Sequence, residues 1–110
     1  MKLINVLSLL TVPPSIDKHL ASDRNMSIIA EQPLAIDCPA KGVPRPKITW
    51  YKDGQEIFPE NEPTIRILSY GRRIEISRAD VQDSGRYTCV AENPAGRSEE
   101  VFNLNVWSEY

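Results

Sequence analysis

Two cysteines, a single histidine and a scatter of carboxylates and serines are the residues of this 110-residue chain that could do chemistry. Cys38 and Cys89 stand 51 positions apart, and neither belongs to a C-x-x-C pair. An even count of two suits one structural disulfide formed in an oxidising compartment, and two buried free thiols are the other reading of the same pair. A bridge closing a loop of about 50 residues would contribute on the order of 4 kcal/mol in the chain-entropy description. His19 lies in the polar, irregular stretch 17–23, and a metal role would need further ligands at H-x-H or C-x-x-C spacing, which the chain lacks. Asp17, Asp23 and Glu31 are too sparsely spaced for a hard cation. Glu60 and Glu62, in the segment Phe58-Pro59-Glu60-Asn61-Glu62-Pro63, have no apolar or basic surroundings that would shift a pKa for acid–base work. The serines sit in turns, outside any G-x-S-x-G context. No catalytic residue, metal ligand or cofactor site is therefore expected, and the chain is not read as an enzyme. One modification signal remains. Asn25-Met26-Ser27 is an N-x-S sequon, which makes Asn25 a candidate N-glycosylation acceptor in a secreted chain.

The bulk properties exclude further classes. The length fits one domain, and 41% apolar with 25% charged residues is ordinary for a globular protein. A net charge of −2 with both signs interspersed offers no basic stripe for nucleic acid. No stretch reaches the roughly 20 apolar residues of a membrane span, and nothing points to a small-molecule substrate. Residues 1–12 form a leader. Lys2 precedes an apolar run broken by Asn5, Ser8 and Thr11, with no A-x-A-like cleavage site after it. A signal-like segment and the remnant of a preceding domain are both open readings of it. The domain itself is expected over 13–107, with a short tail at 108–110.

Along that domain the period is two. Val12-Pro13-Pro14-Ser15-Ile16 is extended, because two prolines fix φ and remove donors. Ile28-Ile29 reads as a short strand, and Leu34, Ile36 and Cys38 alternate along the next one. Residues 41–46, Lys41 to Pro46, form a turn cluster. Its Pro44-Arg45-Pro46 is better read as a rigid loop than as a polyproline ligand. Ile48 and Trp50 face inward on a strand that ends at Asp53-Gly54, a type I′ hairpin signal. Ile65 and Ile67 mark another strand, Ser69-Tyr70-Gly71 a turn, and Arg73-Ile74-Glu75-Ile76 a further alternating strand. A corner over 78–85 follows, with Val81 expected beneath it. Tyr87, Cys89 and Ala91 share the inward face of the next strand. Asn93-Pro94-Ala95-Gly96 turns into a long last strand with Phe102, Leu104 and Val106 inward, and Glu99 and Glu100 on that strand oppose edge-to-edge pairing. Short strands with turn signals every eight to twelve residues predict an all-β sandwich.

Several stretches carry a resemblance to a known family. Gly42-Val43-Pro44-Arg45-Pro46-Lys47-Ile48-Thr49-Trp50-Tyr51-Lys52-Asp53-Gly54 is one of them. Asp83-Ser84-Gly85-Arg86-Tyr87-Thr88-Cys89 and Ala91-Glu92-Asn93-Pro94-Ala95-Gly96 are the others. Together they resemble an immunoglobulin domain of the I-set over about 13–106. The resemblance implies an immunoglobulin-like β-sandwich of two antiparallel sheets with Greek-key connections and one inter-sheet disulfide, Cys38–Cys89. It also implies that Trp50 packs on the bridge, and that Tyr87 turns its hydroxyl back into a corner containing Asp83 and Gly85. Asn93 to Gly96, Phe102 to Val106 and Val12 to Ile16 are similar to repeats of hemicentins, very long extracellular-matrix proteins. That similarity implies a non-catalytic, protein-binding or structural module outside the cell, whose partners are neighbouring immunoglobulin domains and matrix or cell-surface proteins. A cytoplasmic spacer of the sarcomeric or cytoskeletal kind carries the same motif set and is the alternative.

Overall fold

Alternating apolar residues drive eight of the ten strands among the described residues into two sheets that bury their facing sides. The computed structural model describes residues 10–109. Most of the leader expected over 1–12 lies outside the described residues, as does Tyr110 of the tail. The strands are β1 (Val12–Ile16), β2 (Asn25–Ile29), β3 (Leu34–Asp37), β4 (Ala40–Val43) and β5 (Lys47–Lys52). Then come β6 (Gln55–Glu56), β7 (Ile65–Leu68), β8 (Arg73–Ile76), β9 (Gly85–Asn93) and β10 (Gly96–Trp107).

One sheet has the order β2-β10-β9-β5-β6 and the other β3-β8-β7, with β1 and β4 forming a further pair. β3 and β4 are one run of chain interrupted at Cys38 and Pro39, where the proline removes a ladder donor. Pairing is antiparallel apart from β2, which runs parallel to β10 from Asn25↔Asn103 to Ile29↔Trp107. Parallel pairing is possible here because residues 30–95, a long crossover through the other strands, separate β2 from β10. The final strand is therefore an open edge only ahead of Asn103, since β2 covers the rest of it.

Between the sheets, Ile36, Ile74, Ile76, Trp50, Tyr87, Phe102 and Leu104 are almost wholly removed from water. They come from alternate positions, so the strands that carry them turn one face to the core, and β9 also buries Val90 on its other face.

The turns explain the rest of the path. Asp53 and Gly54 both take positive φ, +50° and +85°, the type I′ geometry predicted for that hairpin. Ser69, Tyr70 and Gly71 form a left-handed run at +55°, +60° and +90°. Two local readings need correction. Residues 41–43 belong to β4 and not to the turn, because β1 lies alongside and pairs Val12 with Val43; the turn proper is confined to 44–46 and holds a cis Val43–Pro44 bond. At the corner, Val81 is 48% exposed while Ala79 is buried. The 3-10 turn over Val81–Asp83 swings Val81 outward, and Ala79 is held beneath by backbone bonds to Glu31 and Gln32.

Two glycines with left-handed φ separate backbone strain from steric fit. A Cβ at Gly71 would stand 2.8 Å from Ile48 Cβ, whereas one at Gly54 would meet nothing within 4 Å. Gly54→Ala is expected to cost about 1–2 kcal/mol from φ alone. Gly71→Ala should cost about 2–4 kcal/mol, because overpacking adds to the same strain. Urea midpoints at unchanged m-value measure both, and equal losses would contradict the packing of the turn on Ile48.

Candidate functional site: the stapled core and the loop end

The residues singled out in the sequence meet at the centre of the sandwich. Cys38 and Cys89 are bonded, with their Cα atoms 6.6 Å apart. Trp50 is the register partner of Cys89 on the neighbouring strand, so its side chain lies in the same inward row. The indole Nε1 donates to the Gly71 carbonyl at 2.7 Å, which satisfies the one polar atom of a residue 1% exposed. Phe102 flanks it at a centroid distance of 6.0 Å and a tilt of 34°.

The corner is built on the other side of the bridge. Asp80 accepts from Gln82 N, and Asp83 accepts from Asp80 N, a reciprocal cap on the 3-10 turn. That turn presents the Asp83 carbonyl to Tyr87, whose hydroxyl donates to it at 2.6 Å. Burial pushes the Tyr87 phenol well above its ordinary value, and the negative charges of Asp83, Asp53 and Glu62 add to the shift. Gly85 stands where a Cβ would come within 2.7 Å of Asp53 Oδ2. The missing side chain lets the Asp53 carboxylate reach the Arg86 amide at 2.9 Å, tying the β5–β6 hairpin to the start of β9. Sequence reading assigned Asp53 to a turn and missed this second role.

At the opposite end of the sandwich a second residue was missed. Asn93 Nδ2 donates to the Val12 carbonyl at 2.8 Å and the Pro44 carbonyl at 3.0 Å, while its Oδ1 accepts from Ala95 N. One side chain thus joins the first strand, the loop after β4 and the turn after β9. Arg45 in that loop lies over the Tyr70 ring at 3.6 Å, so two loops present a preformed cation–aromatic pair to solvent. The asparagine of Asn93-Pro94-Ala95-Gly96 was visible as a turn residue, but its long-range bonds were not.

The other sequence candidates stay apart. His19 is exposed in a turn where its amide donates to Asp17 Oδ1. Among the described residues, no three His, Cys, Asp or Glu side chains are grouped to hold a metal, and no helix is long and apolar enough to cross a membrane. Asn25 is exposed at the start of β2.

This arrangement defines a class, the β-sandwich module of the immunoglobulin type. The sequence model of the immunoglobulin I-set domain matches residues 14–106, and the chain belongs to that family. It is 39% identical to human hemicentin-1 over 94 residues, which is 86% of this chain and 2% of the relative. To mouse hemicentin-2 it is 43% identical over 87% of the chain and 2% of the relative. To chicken neural cell adhesion molecule 1 it is 32% identical over 92% of the chain and 9% of the relative. The chain thus spans only a small part of the relatives it matches. Among solved structures, the sidekick-1 immunoglobulin domains 1–4 superpose with a TM-score of 0.80 at 28% identity, over 88% of this chain and 25% of that one.

Two outcomes follow from the geometry. Replacing both cysteines by alanine should lower stability by about 4 kcal/mol, leaving little of a domain's usual margin; a cooperative melt within a few degrees of the parent would contradict it. Tyr87→Phe should cost about 0.5–1.5 kcal/mol at neutral pH by removing the bond to Asp83. The phenol is protonated in both states below its unfolded value of 10.0. Above that pH only the unfolded chain ionises, so stability should fall. Denaturant curves from pH 8 upward should show that decline in the parent and a shallower one in Tyr87→Phe.

Proposed function

We propose that this chain is a non-catalytic, protein-binding and structural module of an extracellular matrix or cell-surface protein, acting within an array of like domains. The observation that carries the reading is the identity of 36–43% to hemicentins over 86–94% of the chain. The bonded Cys38–Cys89 pair supports it, because such bridges persist in oxidising compartments. A cytoplasmic spacer would share the fold but would ordinarily hold those residues as thiols.

The path of the chain supports the array. β1 begins beside the first residues of β10, where Asn93 binds Val12 and Ser98 Oγ donates to the Pro14 carbonyl. The chain leaves β10 at Trp107, eleven residues beyond Gly96. At about 3.3 Å per residue the two points stand roughly 36 Å apart, at opposite ends of the sandwich. A preceding module would rest against the loop end that carries Arg45 and Tyr70, residue types enriched where protein interfaces concentrate their energy. A following one would meet the corner end.

Antibodies raised against the folded domain test the location. Labelling of intact, unpermeabilised cells or of their deposited matrix is the expected result. Labelling only after permeabilisation, with Cys38 and Cys89 open to alkylation, would overturn the reading in favour of an intracellular spacer.

A further inference from the structure

The free edges of the two sheets are guarded in different ways, and one is not guarded by its own sequence. An edge strand exposes unpaired amides and carbonyls that invite another strand, and proteins blunt it with charge, proline, shortness or cover. β1 carries Pro13 and Pro14. β3 ends in Asp37, whose amide and carbonyl are both bonded by Ser22. β6 is only two residues long and includes Glu56, β7 carries Arg66, and the open part of β10 carries Arg97, Glu99 and Glu100.

β2, Asn25-Met26-Ser27-Ile28-Ile29, is alone among the described strands in containing neither a charge nor a proline. Its one described partner is β10, so the far side of its backbone is open. The nearest charges are already engaged, Arg24 with Glu100 and Glu31 with Arg78. Ile29 is 52% exposed at its end, beside Trp107 on the paired strand at 60%. A five-residue, uncharged, partly apolar edge of this kind is a template for association.

The sequon sits on that strand. Asn25 and Ser27 are two residues apart and therefore project from the same face, both exposed. Asn25 Oδ1 accepts from Asn103 Nδ2 at 3.4 Å, which leaves its own Nδ2 directed to no partner among the described residues. We propose that Asn25 carries an N-linked oligosaccharide and that this glycan is the guard of the β2 edge. The inference rests on the extracellular reading above, because the modification requires passage through the secretory pathway. The donor is a lipid-linked oligosaccharide diphosphate. Its sugar C1–O bond breaks, a C1–Nδ2 bond forms, the amide loses one proton and the lipid diphosphate departs with the electron pair. The Asn25 Oδ1 acceptor is untouched by the transfer, so the contact with Asn103 is retained. A bulky, solvated group at the first residue of a short strand covers the approach to its open side and steers partners toward the loop end and the remaining faces.

The test uses the full chain behind an appended secretion signal in animal cells, with secreted and retained protein both collected. The expected result is an intact mass raised by an oligosaccharide that peptide-N-glycosidase removes, leaving aspartate at position 25, and no such rise in Ser27→Ala. An unmodified Asn25 in protein whose Cys38–Cys89 pair is oxidised would overturn the modification while leaving the extracellular reading intact. That reading fails separately, in the labelling of intact cells. For the guarding role, light scattering on the secreted protein should find the glycosylated domain monomeric as concentration rises. Ser27→Ala, which loses the glycan and sets no charge on the strand, should rise toward dimer mass. Ser27→Lys, which loses the sequon but sets a charge on the edge, should stay monomeric. Ser27→Ala remaining monomeric across the same range would overturn the guarding role.

Discussion

The covalent tie between the two sheets is the constraint on which the rest of this structure depends. A sandwich of this size buries only a modest core, and its net stability is a small difference between large opposing contributions. The Cys38–Cys89 bond removes freedom from the unfolded chain and sets the separation at which the two inner faces meet. Trp50, Phe102 and the isoleucines of the facing sheet then fill a space whose width is already fixed. The indole has a single donor, and that donor reaches the Gly71 carbonyl. The left-handed turn before β8 is therefore recruited into the core, although its side chains are in water.

The corner and the loop end apply the same logic to polar groups. Tyr87 is fully buried, yet its hydroxyl meets a carbonyl presented by a capped 3-10 turn. Asp53 and Asn93 each bridge segments far apart in sequence, 33 residues in one case and 81 in the other. No buried side-chain polar atom among the described residues lacks a partner. Polar satisfaction of this quality fixes where the loops sit, and it leaves their outward surfaces, Arg45 and Tyr70 among them, free to vary without cost to the scaffold.

Much of this was legible in the chain itself. The spacing of Cys38, Trp50, Tyr87 and Cys89, with strict alternation in Arg73–Ile76 and Phe102–Val106, located the core and the strands. What escaped reading were interactions that no local period encodes. Val81 looks like a core residue because it is apolar, but the 3-10 turn decides which side of the corner it occupies, and Ala79 takes the buried place. Lys41 to Val43 look like loop because proline and glycine surround them, and only the arrival of β1 from elsewhere makes them strand. The roles of Asp53 and Asn93 depend on which backbone groups the fold brings within 3 Å, a matter of tertiary geometry. Asn25 was visible as a sequon. That it lies on the least protected edge of the molecule could be known only once β2 was seen beside β10.

The parallel run of β2 along β10 also has a mechanical meaning. The chain enters at one end of the sandwich and leaves at the other, so tension between neighbours would act along the strands and not across them. β2 lies near the incoming end of the chain and β10 carries the outgoing end, and their five registered residue pairs would be loaded together in shear. Hydrogen bonds strained together resist far more than bonds opened one after another. Within an array, a domain with this connectivity would bear load as a lap joint does, with its resistance in the seam between its second strand and its last.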